Sequence, residues 1–106
     1  MLVKKVSDRS WQPADQPGVE RSVFRMNDTG GRTLLVRLKA GSRVLRHTHG
    51  GTEEVVVLAG KVSIGGVDMK EGDYMFVTAG EEHDVVGVTD ATIFVSSQRA
   101  SRVVES

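Results

Sequence analysis

The chain has 106 residues and carries 14 basic and 14 acidic side chains, so its formal charge is zero and nothing in it pulls at long range on nucleic acid or an anionic membrane surface. With no cysteine, disulfide frameworks and thiolate metal sites are excluded, and any metal must be held through nitrogen and oxygen. A hydrophobic fraction of 39% against 26% charged residues predicts a packed globular core, and the length suits one domain over 1–106. No apolar run approaches the length of a bilayer span and no leader pattern opens the chain; the cytoplasm is the expected location.

The segments that favour a pleated surface follow one another at short intervals: "LVKKV", "RSVFRM", "RTLLVRLKA", "EEVVVLAG", "KVSIGG", "GDYMFV", "HDVVGV" and "ATIFVSS". The 12 glycines punctuate them, and no window sustains a helical period over three turns. An all-β fold of sandwich, barrel or jelly-roll type is therefore expected. "LVKKV" reads as an edge strand able to pair across a two-fold axis. The stretch Asp8–Gly18 holds both prolines and reads as an irregular loop, with Trp11 as a lid on one end of the barrel. Asp28-Thr29-Gly30-Gly31 marks a turn, and Gly65-Gly66 marks a two-residue hairpin between "KVSI" and "VDMK".

The stretch "HTHGGTEE", His47 to Glu54, carries two of the three histidines. Residues two apart on a strand share a face, so His47 and His49 converge. Gly50-Gly51 then lets the chain bend, and Glu53 supplies a carboxylate while Glu54 faces the other way. His83 is the one further imidazole. Nitrogens with one hard oxygen suit iron, manganese, nickel or zinc. Taken alone, a His-x-His pair serves equally well as part of a polar turn.

The wider frame distinguishes the two. Five residues separate Gly41 from His47, one separates His47 from His49, three lead to Glu53 and six more to Gly60; downstream, Gly72 is followed after seven residues by Gly80 and after two more by His83. This frame resembles the two signature motifs of the cupin superfamily. The resemblance implies a double-stranded β-helix, or jelly-roll barrel, binding one divalent metal through His47, His49, Glu53 and His83. The first motif is complete from Gly41 to Gly60, whereas the second has Thr78 where a proline is expected and Gly87 where an asparagine is expected. The Trp11 region, the Pro-Gly-Val at 17–19 and the His-x-His-x-Gly-x-Glu-Glu spacing further resemble the ChrR-like branch. That branch implies either an iron-dependent dioxygenase acting on a small dicarbonyl or hydroxyketone, or a zinc-binding sensing module without catalysis, akin to the cupin domain of anti-sigma factors. No helical sigma-binding segment is expected before Gly18. Small cupins resemble homodimers, and a small-molecule ligand is the expected partner, without nucleic acid or membrane.

The supporting residues are less determined. Asp84, Thr48, Thr52 or a backbone carbonyl are candidate partners for the second ring nitrogens of the histidines. Glu81 and Glu82 read as solvated. Tyr74, Phe76 and Phe94 are nominated as pocket walls, with a core role as the favoured alternative, and Arg37, Arg43 and Arg46 could orient an anionic substrate, although isolated arginines more commonly occupy exposed strand faces.

Overall fold

The structure, a computed structural model, describes residues 1–105. Eleven strands run in chain order: β1 (Gln12–Pro13), β2 (Val19–Met26), β3 (Arg32–Leu38), β4 (Arg43–His49), β5 (Glu53–Ala59), β6 (Lys61–Ile64), β7 (Val67–Lys70), β8 (Tyr74–Val77), β9 (Glu82–Gly87), β10 (Ala91–Ser97) and β11 (Ser101–Val103). They form two antiparallel sheets, one ordered β1-β2-β3-β10-β5-β8 and the other β11-β4-β9-β6-β7. Among the described residues there is no α-helix, only a 3₁₀ turn at Val6–Asp8, and no helix is long and apolar enough to cross a membrane.

Burial follows the period-two rule. Along β5 the pattern is buried at Glu53, Val55 and Val57, and β6 buries Val62 and Ile64 completely. The apolar ones, Val55, Val57, Val62 and Ile64, meet Val19, Leu38, Met69, Val85, Ala91 and Ile93 between the sheets to form the core. The outward face of the larger sheet carries a second apolar layer, in which Leu35 is covered, Phe94 packs on Phe24 at 6.5 Å, and Tyr74 and Phe76 are exposed.

Most expected strands form. Gly65 and Gly66 take φ of 55° and 81°, the paired positive values of a two-residue hairpin turn, and set Ile64 opposite Val67. "LVKKV" does not form a strand: residues 1–5 have no regular structure, so the edge strand expected to pair across a two-fold axis is absent. The Asp8–Gly18 loop is not wholly irregular, because Gln12 and Pro13 pair with Arg21 and Glu20. Trp11 lies beneath the Arg37 guanidinium, 4.0 Å from its ring centroid, and takes no part in closing the cavity; Ala14, Asp15 and Gln16 reach the cavity instead.

The departures from the cupin second motif have local explanations. Thr78 uses the backbone N–H that a proline would lack to donate to the Glu81 carboxylate at 2.8 Å, and its hydroxyl donates to the same oxygen. These bonds hold the Glu81 carboxyl below its ordinary pKa. A Cβ at Gly87 would come within 2.7 Å of the Lys39 carbonyl oxygen, so the close backbone approach there excludes a larger residue.

Ile64 is fully enclosed at the centre of the core. Ile64→Ala is expected to lower stability by about 2–5 kcal/mol, read as a shift of the urea midpoint with unchanged slope.

Candidate metal centre

His47 and His49 sit on β4, Glu53 opens β5, and His83 lies on β9 directly opposite His47. The register of β4 against β9 slips between Val44 and His47, leaving Leu45 and Arg46 without ladder partners. This bulge re-aims the strand so that both imidazoles point inward, and it frees the Leu45 carbonyl to accept a hydrogen bond from His47 Nδ1 at 2.7 Å. The tautomer of His47 is fixed by that bond, leaving Nε2 to face the site. Gly50-Gly51 carries the chain from the smaller sheet to the larger, which brings Glu53 across to the histidines.

All four side chains are buried, Glu53 to 3% exposure. One donor atom from each lies within 4.8 Å of the other three. Donors around a single ion at about 2.1 Å stand roughly 3 to 4.2 Å apart, so the cluster reaches coordination distances by shifts of a few tenths of an ångström. His49 Nε2 is 2.6 Å from Glu53 Oε2, and His83 Nε2 is 3.1 Å from Glu53 Oε1. The first contact is short but not aligned as a hydrogen bond, and His49 Nε2 is left buried without a partner. Buried nitrogen and carboxylate oxygen atoms that approach one another closely without hydrogen-bond alignment are how a donor set for a cation is arranged. Three imidazoles and one carboxylate, with no thiolate, suit a divalent transition metal, and the residues present fit such an ion.

The electrostatics agree. Burial pushes the Glu53 carboxyl up, but its contacts with His49 and His83 outweigh that and bring it from 4.5 to about 2. Burial pushes His47 down, keeping it neutral and available as a donor. Burial also opposes charge on His49, yet the adjacent Glu53 carboxylate prevails and raises it.

Above the cluster a cavity of about 190 Å³ opens between the sheets. Its walls are Val19, Leu34, Val36, Val44, Leu45, Val55, Val85, Ile93 and Val95. The aromatic walls expected from the sequence are not there. Tyr74 and Phe76 pair across the ladder with Val56 and Glu54 and face outward in phase with them, and Tyr74 donates its hydroxyl proton to Glu54 at 2.7 Å. Phe94 alternates with the cavity-lining Ile93 and Val95 and so faces away.

The second-nitrogen partners and the arginines also fall differently. Asp84 accepts from Arg43 at 3.2 Å, the Thr52 N–H donates to Gln98 Oε1, and Thr48 Oγ1 has no partner; the Leu45 carbonyl serves His47. Arg37 pairs with Glu20 outside the barrel at 3.0 Å. Arg46 is exposed, and its backbone N–H donates to Glu105. Arg43 does reach the cavity lining, but it is tied to both Asp84 and Glu105, the latter at 2.7 Å. Two arginines that sequence reasoning passed over, Arg21 and Arg32, line the cavity instead. Their phase was the available signal: Arg21 is two residues from Val19, and Arg32 is two and four from Leu34 and Val36, all inward positions.

The family model described as the ChrR cupin-like domain matches residues 1–101. The chain belongs to the ChrR-like cupin family. A curated relative of this cupin, the DNA damage-repair/toleration protein DRT102 of Arabidopsis thaliana, is 33% identical over 96 residues, 84% of this chain, and the chain spans 30% of that relative's length. Among solved structures, a putative acetylacetone dioxygenase from Methylibium petroleiphilum superposes with a TM-score of 0.84 at 20% identity, covering 99% of this cupin and 86% of that chain. The acetylacetone dioxygenase of Acinetobacter johnsonii does so at 0.84 and 16% identity, covering 99% and 77%. The anti-sigma ChrR in complex with SigE of Rhodobacter sphaeroides gives 0.75 at 21% identity, covering 89% and 51%. At these identities the structural likeness establishes the jelly-roll fold of this cupin.

The depressed Glu53 carboxyl fixes a sign for the metal-free cupin. Its folded pKa lies below the unfolded value, so its contribution to stability is full above 4.5 and is lost as pH falls from there toward 2. Unfolding free energies from urea titrations of metal-free protein over that range are expected to fall more steeply for the wild type than for Glu53→Gln, by up to about 1.4 kcal/mol per pH unit.

Proposed function

We propose that this cupin is a metal-dependent enzyme of the dioxygenase type, holding one divalent ion, iron first, through His47, His49, Glu53 and His83 and taking a small dicarbonyl or hydroxyketone in the cavity above them. The observation that carries the reading is the convergence of four buried donors, one of them unpartnered, on a cavity lined mainly by apolar side chains, with arginines among them. The acetylacetone dioxygenases among its structural neighbours support the substrate class. A bound iron would supply Lewis acidity and a redox partner for dioxygen. The chain's own part is to fix the donors: the Leu45 carbonyl orients His47, and the bulge in β4 holds it against His83. The valine and isoleucine walls keep water from the ligand and strengthen each polar contact within.

A second reading is favoured by the family match itself, which is to the cupin domain type of ChrR: a zinc-holding sensing module without catalysis. Zinc suits the same donors. The homodimer expected from the sequence is kept as part of the proposal, with the exposed Leu58, Tyr74 and Phe76 of the larger sheet as the surface it would cover and the cytoplasm as its location.

The test is anaerobic loading with iron(II) followed by oxygen-electrode traces with acetylacetone and related hydroxyketones. Oxygen uptake at one metal per chain is expected, and His47→Ala and Glu53→Gln are expected to lower both bound metal and uptake at least tenfold. Full iron occupancy without uptake, joined to tight retention of zinc, would sink the enzyme in favour of the module.

A further inference from the structure

Arg21 on β2 and Arg32 at the head of β3 both line the cavity and are half-buried. Among the described residues, neither guanidinium takes part in a hydrogen bond or an ion pair, although Arg37 and Arg43 on neighbouring strands are both paired. Desolvation, with the nearby charge of Arg21, lowers the pKa of Arg32, and Arg32 is close enough to His49 for its charge to act on that imidazole. Two like charges held together on the wall of an apolar cavity cost stability unless something negative meets them. Guanidinium groups present forked donors that match a carboxylate. Asp15, which also lines the cavity, forms no ion pair with either arginine.

We infer that the natural ligand of this cavity is an anion, a small dicarbonyl or hydroxyketone that also bears a carboxylate, its oxygen pair directed to the histidine-glutamate cluster and its carboxylate to Arg32 and Arg21. This deepens the proposed function and rests on that reading for the position of the oxygen pair. The two arginines are specificity-determining residues: they select charge at the far end of the ligand. The apolar side chains that share the cavity lining with them, such as Val36 and Val95, accommodate the carbon chain that links the two ends.

A matched pair of ligands tests this on the zinc-loaded cupin, where binding is measured without turnover. Succinylacetone is a 1,3-dicarbonyl with a carboxylate two methylenes from one carbonyl, and heptane-2,4-dione is its neutral counterpart. By titration calorimetry, succinylacetone is expected to bind about tenfold or more tightly than the neutral dione. In Arg32→Gln, and more weakly in Arg21→Gln, that preference should shrink toward parity, while Arg32→Lys retains part of it and bound zinc stays at one per chain. Equal affinities in the wild type, a preference that survives in Arg32→Gln and Arg21→Gln together, or no binding of either dione would overturn the inference. Oxygen uptake with iron is read separately. An arginine-dependent preference without uptake removes the dioxygenase and keeps the anion site, whereas uptake with neutral diones and no arginine effect does the reverse.

Discussion

An ionised carboxylate with 3% of its surface exposed cannot stand alone in a barrel of valines and isoleucines, since its desolvation costs on the order of several kcal/mol. Glu53 is sustained there by the imidazoles of His49 and His83 at 2.6 and 3.1 Å. That requirement constrains much of the chain. It demands that β4 and β9, in one sheet, and β5, in the other, end at the same place, so the Gly50-Gly51 crossing between sheets has little freedom in length. The apolar core, from Val57, Val62 and Ile64 to Val55 and Val85 beside the donors, holds the two sheets in place, and the polar centre occupies what that packing leaves open.

The bulge in β4 links backbone to chemistry. A regular ladder would have given Leu45 and Arg46 partners on β9 and would have consumed the Leu45 carbonyl. The one-residue slip instead spends a ladder pairing to orient an imidazole. The same economy appears at Thr78, where a backbone N–H missing from a proline becomes the anchor for Glu81 and so shapes the turn that presents His83.

Much of this was legible in the letters. Alternation identified the long strands because one face of each is buried, and it separated Glu53 from Glu54: the first is enclosed, the second is outside with Tyr74. Gly65-Gly66 announced its hairpin because few other residues take two successive positive φ values. "LVKKV" misled because strand preference is a preference for neighbours, and Met1–Lys5 has none. Tyr74 and Phe76 misled because size and aromaticity say nothing about direction; their facing is set by pairing with Val56 and Glu54, which are distant in sequence. Arg21 and Arg32 were in phase with inward residues, yet a charged side chain in such a position conflicts with a simple inside-outside pattern. Such conflicts tend to mark function. The bulge, and with it the His47 partner, depends on a one-residue offset between strands that no single strand reveals.

β11 is short, exposed along its whole length, and pairs Ser101 with His49 and Val103 with His47. Without it, the strand bearing two of the imidazoles would be the rim of its sheet, with a row of bare amides open to any passing extended chain. Three residues thus act as a bumper: what a foreign strand would meet first is a brief, arginine-bearing edge, tied back by Glu105 to Arg43 and Arg46. The protection of the centre from misassociation is therefore supplied by a three-residue strand that lies beyond the last of the candidate strand segments, "ATIFVSS".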